Sequence, residues 1–314
     1  MNRKNIKKHL RWKVEDWAKS ITNKKVAELV RKNTIITGGA LVSLLTGEPI
    51  SDYDIYFKNH QTTKKVAEYY IRKFKTHLKK GNVNRDKTYE PFLETEGNRI
   101  KIRIQSAGVI SENSDKVDYE YFETLTNGNE IAENYLNRVI EGDEVHEDVL
   151  EKDKKSKYRP VFMSQNAITL SDKIQIIVRF CGNPEEIHEN FDFVHCTNYY
   201  TSWDNKVILK PQALECILNK DLVYEGSLYP LCSVIRTRKF IRRGWKINAG
   251  QYLKMLFQVS ELDLTDINVL EDQLVGVDSA YFNQFINWCK KRQKEDDSFK
   301  LTSPYLASVI DKIF

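Results

Sequence analysis

Two aspartates stand one residue apart in the stretch SDYDIYF, at Asp52 and Asp54, and the pair Gly38-Gly39 precedes them in TIITGGALVSLLTG. On an extended chain, residues i and i+2 project to the same face. Two carboxylates crowded this way repel each other unless a divalent cation sits between them. Mg²⁺, or Mn²⁺ in its place, suits such a pair, because it takes one or two carboxylates and completes its shell with phosphate oxygens and water. Two ions held there would polarise a phosphate and lower the pKa of an attacking hydroxyl. Glycines between a strand and a helix let backbone approach a phosphate closely, with helix-terminal N–H groups facing the negative charge. Ser43 adds a hydroxyl to that cradle.

These residues need three elements to hold them. TIIT (34–37) is β-branched and predicts a short buried strand. ALVSLLTG predicts a helix of about two turns, closed by Gly47 and Pro49, and YDIYF (53–57) predicts the second strand. The 13 positions from Gly39 to Asp52 let the helix carry the chain back to the adjacent strand, bringing glycines and carboxylates to one end of a sheet. Upstream, Trp17, Ile21, Val26, Leu29 and Val30 predict a helical pattern over 10–32.

Downstream, residues 60–158 read as an insertion. They comprise a basic helix at 63–80, a hairpin turning at Gly97-Asn98 whose second arm alternates Ile100, Ile102 and Ile104 with Lys101 and Arg103, and a charged connector, EGDEVHEDVLEKDKKSK. Core sequence resumes at 160–205, with a strand pair or one long strand at 166–180 and a further strand over 189–200. From about Lys210 the patterns are helical, in five amphipathic segments. The expected organisation is therefore a domain over 1–205, with core 33–58 and 160–205, followed by a helical domain over 206–314.

With 314 residues, 41% hydrophobic and 30% charged, the chain has a globular composition, which excludes disorder as the default. No run approaches the roughly 18 apolar residues of a membrane span. The basic start lacks an apolar h-region, so it reads as mature sequence and a cytoplasmic location is expected. Five cysteines without CxxC spacing predict reduced, mostly buried thiols and no zinc ribbon. The net charge of +5 is uneven, with basic clusters at 3–13, 72–80 and 236–246. That favours an anionic partner.

GGALVSLLTGEP followed by SDYDIYF resembles the nucleotidyltransferases of the DNA polymerase beta superfamily, whose pattern is a GG or GS turn, a short helix and a DxD strand. The form is similar to the head domain of CCA-adding and poly(A) enzymes, and the D-Y-D-I-Y-F strand to phage-type nucleotidyltransferases. The resemblance implies an α+β fold with a mixed sheet. It also implies transfer of a nucleoside monophosphate from an NTP to an acceptor hydroxyl, with release of pyrophosphate. Asp52 and Asp54 would hold the metal ions, and Gly38, Gly39 and Ser43 the β- and γ-phosphates.

The superfamily carries a third acidic residue on a later core strand. Asp192, a carboxylate among aromatics in FDFVHC, is the first choice to bind the catalytic metal; Glu94 and Glu96 on the hairpin compete with it, and Asp118 follows. In RTRKFIRRGWKIN, Arg236, Lys239 and Arg243 fall at i, i+3 and i+7 of an expected helix, a face suited to triphosphate or RNA phosphates. The stretch RRGWKIN resembles the RRDFTxN of CCA-adding enzymes, but Gly244 stands where that pattern has an acid. His195 reads as structural.

A tRNA or other RNA 3′ end is the first expected acceptor. A protein or a second nucleotide is the alternative, and a non-catalytic nucleotide- or RNA-binding module is another.

Overall fold

The computed structural model describes residues 1–80, 91–96, 99–103, 157–164, 166–274, 280–296 and 299–313. They divide into two compact units. The first holds residues 1–103, 157–189 and 195–217 of the described set; the second holds 190–194 and 218–313.

The first unit is built on a seven-stranded sheet in the order β5-β6-β7-β2-β1-β8-β9. Its strands are β1 (Thr34–Thr37), β2 (Tyr53–Phe57), β5 (Pro160–Met163), β6 (Ala167–Leu170), β7 (Ile174–Cys181), β8 (Tyr199–Thr201) and β9 (Lys206–Ile208). Strand β2 runs parallel to β7, and the other neighbours pair antiparallel, so the sheet is mixed. Strands β3 (Phe92–Glu96) and β4 (Arg99–Arg103) form a separate antiparallel pair. With its helices, this is the α+β class expected from the sequence.

Alternation sets the two faces of the sheet. Ile36, Ile55 and Ile176 are 0% exposed and join the core, which is covered by helices α1 (Arg3–Ser20), α2 (Lys24–Asn33) and α4 (His60–Lys80). Ile6, Leu10, Val14 and Trp17 recur every three to four positions on α1 and bury one stripe of it. Inside this core the Trp17 indole N–H donates to the Tyr70 hydroxyl at 2.7 Å, which burial makes an expensive bond to lose.

The expected helical pattern over 10–32 is corrected to two helices that begin earlier. The chain breaks at 21–23, where the Asn23 side chain accepts from the Lys25 and Val26 backbone N–H groups and starts α2. The 166–180 region is a strand pair; its three-residue connection, 171–173, puts Asp172 and Lys173 at positive φ of 62° and 64°. The strand expected over 189–200 is corrected as well. Helix α5 (Pro184–His188) precedes a bend at Asp192, an isolated bridge from Phe193 to Tyr224 and a 3-10 turn at Val194–Cys196, and the chain joins the sheet at Tyr199–Thr201. Strand β9 escaped the sequence pattern, since KVI is only three residues long. The hairpin tip at Gly97-Asn98, Ile104, Asp118 and residues 141–156 of the connector lie outside the described residues.

Helix α6 (Pro211–Asn219) continues the first unit up to Ile217. The second unit contains α7 (Pro230–Arg242), α8 (Ala249–Ser260), α9 (Ile267–Leu274), α10 (Ala280–Glu295) and α11 (Ser303–Ile313). Its core includes Ile267, Leu270, Leu274, Ile286 and Cys289. All five cysteines are free thiols, three of them buried. Among the described residues no helix is long and apolar enough to cross a membrane.

Replacing Tyr70 with Phe should destabilise the protein by about 1–3 kcal/mol, because the buried Trp17 N–H loses its acceptor. Urea unfolding followed by Trp fluorescence measures it; an unchanged midpoint would show that the bond carries no net stability.

Candidate functional site

Strand β1 ends at Thr37, and the chain turns through Gly38 into helix α3 (Gly39–Thr46). Gly38 has φ 80° and ψ −146°, a conformation that side-chain-bearing residues rarely adopt. Its backbone N–H donates to the Cys196 carbonyl at 3.1 Å. A Cβ added at Gly38 would lie 2.9 Å from Asp54 Oδ2, so here the glycine makes room for the carboxylate itself. A Cβ at Gly39 would meet nothing within 4 Å, and Gly39 is exposed at the start of the helix. Gly47, left-handed at φ 79°, ends α3 by donating to the Ser43 carbonyl at 2.9 Å. Ser43 itself is half-buried on α3.

Asp54 reaches this turn through strand register. Thr37 pairs with Asp54, Asp54 with Gln175, Gln175 with Thr169, and Thr37 with Tyr199. Cross-strand partners share a face, so a row of polar and aromatic side chains runs across five strands opposite the Ile36–Ile55–Ile176 face. Asp52 and Asp54 are both half-buried and flank Tyr53, which is 5% exposed and turned into the core. The alternation expected for the DxD pair therefore holds across Tyr53.

The start of β2 is pinned from below. His9 Nε2 lies 2.6 Å from the Tyr53 hydroxyl. The Lys13 ammonium, buried on α1, sits 4.9 Å from the centroids of both Tyr53 and Tyr158 and donates to the Asp172 carbonyl at 2.6 Å. Burial pulls the Lys13 pKa down to about 8, opposed by the nearby Asp172 and Asp16 carboxylates. Burial also pushes Tyr53 up to about 12. Sequence reasoning missed Lys13, although a lysine three residues after Leu10 and one before Val14, within an apolar stripe, was a signal.

The other side of the turn is held by a buried polar chain. Thr37 Oγ1 lies 2.9 Å from His188 Nε2 and can donate to the Asn198 and Cys196 carbonyls at 2.9 and 3.1 Å. The Lys210 ammonium stands 3.3 Å from His188 Nδ1. An ammonium only donates, so Nδ1 accepts and Nε2 carries the hydrogen that goes to Thr37. Burial, with the Lys210 charge behind it, lowers the His188 pKa to about 3, which keeps the ring neutral. Asn198 Oδ1 accepts from the Lys210 backbone N–H at 2.8 Å. Nothing in EEIHEN marked His188 in the sequence.

All five residues Gly38, Gly39, Ser43, Asp52 and Asp54 lie in the first unit, and the close approach within it is that of Gly38 to Asp54. Among the described residues no group of three or more His, Cys, Asp and Glu is gathered for a metal ion. A half-buried carboxylate pair beside an open helix start nevertheless fits Mg²⁺, which needs only one or two carboxylates when phosphate supplies further oxygens. Of the competing acids, Glu94 lies on the separate β3–β4 pair and is ion-paired with Arg103.

Asp192, Lys239 and Arg243 belong to the second unit. Asp192 is 8% exposed and, contrary to the isolated carboxylate expected on a strand, lies in a bend with Arg236 Nη1 at 2.9 Å from its Oδ2. Phe193 beside it packs edge-on against Tyr224 and Phe240. Lys239 is on α7, but Arg243 is that helix's C-cap, at φ −90° and ψ 10°, and Gly244 follows at φ 79°, so the helical face expected for Arg236, Lys239 and Arg243 stops short of Arg243. His195 is 1% exposed, in the 3-10 turn of the first unit.

A family model described as "Gabija anti-defense 2 family protein" matches residues 8–220, which include the whole glycine-turn and carboxylate site. No curated protein matches the chain. Among solved structures, the Thermotoga maritima CCA-adding enzyme complexed with tRNA-CCA is similar at 11% identity and a TM-score of 0.37. That match covers 79% of this chain and 45% of the other, so this chain spans less than half of that enzyme's length.

Two outcomes follow from the geometry. Gly38→Ala should lower stability by about 1–3 kcal/mol through its positive φ and displace the Asp54 carboxylate, which Mn²⁺ titration and urea unfolding would read together. Stability should also fall as pH drops from about 6.5 toward 3, because the unfolded chain protonates His188 while the folded one keeps it neutral. His188→Gln should flatten that part of the pH profile; an identical slope would remove His188 as its source.

Proposed function

We propose that this chain, which belongs to the Gabija anti-defense 2 family, is a metal-dependent nucleotidyltransferase. It would move a nucleoside monophosphate from an NTP to an acceptor hydroxyl and release pyrophosphate. The observation that carries this reading is the contact between Gly38 and Asp54, a glycine turn opening a helix directly against a carboxylate of the neighbouring strand.

In this reading the open backbone at Gly39 and the start of α3, with the Ser43 hydroxyl, hold the β- and γ-phosphates of the NTP. Asp52 and Asp54 hold Mg²⁺ or Mn²⁺, which supplies Lewis-acid polarisation of the α-phosphate and neutralises charge as it develops. The acceptor oxygen bonds to the α-phosphorus, the bond from that phosphorus to the bridging oxygen of pyrophosphate breaks, and the hydroxyl proton is lost to a carboxylate. Asp192 is the proposed third carboxylate, with Glu94 and Glu96 as its competitors, and Lys239 and Arg243 are proposed to neutralise phosphate charge. Tyr53, Lys13 and the Thr37–His188–Lys210 chain keep the two aspartates and the glycine turn in register.

The proposed acceptor is an RNA 3′ end, supported by the basic segments. The family description favours a second reading, in which the acceptor is a component of the Gabija defence and the transferred nucleotide disables it.

The test is incubation of the full chain with Mg²⁺ or Mn²⁺ and each α-³²P-labelled NTP, with RNA, with Gabija proteins, or with neither. Label should transfer with the intact chain, and Asp52→Ala/Asp54→Ala should lower it by at least about a hundredfold, the scale of losing metal-assisted charge stabilisation. Label that is retained by the double variant would overturn the assignment. An Asp192→Asn variant with undiminished transfer would pass the third role to Glu94 or Glu96.

A further inference from the structure

Helix α1 buries one stripe, and its other side is basic. Residues 1–14 contain no acid. Lys4, Lys7, Lys8 and Arg11 are all exposed, and Trp12 is 55% exposed. Lys4, Lys8 and Trp12 recur every four residues, with Arg11 one turn on from Lys8, so they share one side of the helix over about 12 Å. Two other cations of the segment are already engaged: Arg3 Nε donates to the Val207 carbonyl at 3.0 Å, and Lys13 is buried. The exposed four make no ion pair among the described residues.

Both ends of this row lead somewhere. At the start, the Met1 ammonium donates to the Leu44 carbonyl of α3 at 3.1 Å, so the row begins beside the helix of the candidate site. At the far end Arg11 enters a cleft of about 300 Å³, which Arg31, Tyr200, Ser202, Trp203 and Asn205 also line. Its two acids are matched by cations, Glu15 with Arg31 at 3.0 Å and Asp204 with Lys206 at 3.3 Å. The Trp203 ring carries the Lys58 ammonium 4.9 Å from its centroid. Ser202 sits at the Thr34 end of β1, the opposite end from Gly38, so the cleft is separate from the carboxylate pair.

We propose that the exposed side of α1, from Lys4 to Arg11, and the Trp203 cleft form a track for single-stranded nucleic acid. This locates the acceptor strand and rests on the RNA reading above. Unpaired cations in a row fit a phosphate backbone, while Trp12 and Trp203 offer rings on which bases stack. An acidic polypeptide would use the cations and leave the rings idle.

The test is fluorescence anisotropy of the full chain with a 5′-labelled single-stranded 12-nucleotide RNA across a salt series, beside a polyglutamate probe. Lys4→Glu/Lys8→Glu/Arg11→Glu should weaken RNA binding and reduce the salt slope by about 2, three contacts at about 0.7 each. The Ala triple variant guards against misfolding and should lose slope without charge reversal. Trp203→Ala should weaken binding about tenfold with the slope kept. An unchanged slope in both triple variants, with RNA still bound, would overturn the track and leave the RNA reading intact. A parent chain that binds no RNA would overturn both, while label transfer to another acceptor would still support the chemistry. Loss of polyglutamate binding with RNA binding unchanged would make this side a protein dock.

Discussion

The register between β1 and β2 is the constraint on which everything else in the first unit depends. Pairing Thr37 with Asp54 puts a carboxylate over the residue at which the chain must turn into α3. A slip of one residue would send Asp54 into the core and Ile55 out of it, which an apolar core of this size forbids. The same pairing leaves no room for a Cβ at residue 38, so glycine is required there twice, once by its φ and once by the oxygen it faces.

Around that register the fold supplies two clamps of different chemistry. Beneath β2, a buried ammonium is held between two tyrosine rings and tied to the Asp172 carbonyl on the β6–β7 turn. Beyond β1, a neutral histidine links a strand threonine to a lysine that follows β9. Both join segments more than 100 residues apart. Each depends on geometry that only the assembled sheet provides.

What could be read from the sequence was local. TIIT, the glycine pair, the short helix ended by Gly47 and the YDIYF strand all formed where β-branched content and turn residues put them. The stretch 189–200 failed because aromatic, β-rich composition does not distinguish a strand from a packed bend: Phe193 makes one isolated antiparallel bridge with Tyr224 and packs against the Tyr224 and Phe240 rings, outside the seven-stranded sheet. Asp192 looked isolated because its cation, Arg236, lies 44 positions away. Lys13, His188 and Lys210 were invisible for the same reason, since a titratable residue gains a structural task only when distant chain closes over it. Arg243 fell off its expected face because Gly244 ends the helix just beyond it, a breaker that periodicity alone overlooks.

Strand β2 pairs parallel with β7, and β1 pairs with β8, so the two central strands receive their outer neighbours from sequence that begins at residue 174 and ends at 201. Contacts of such separation form slowly, because the loop must close before the pairing rewards it. During synthesis, therefore, the β1–α3–β2 unit emerges early as a hairpin-like element with both edges bare. A nascent chain shorter than about 175 residues carries the carboxylate pair but neither of the strands, β7 and β8, that frame β1 and β2. Maturation of the site is a late event in folding, and truncations within the final strands should leave a chain prone to edge pairing with its neighbours rather than a smaller working domain.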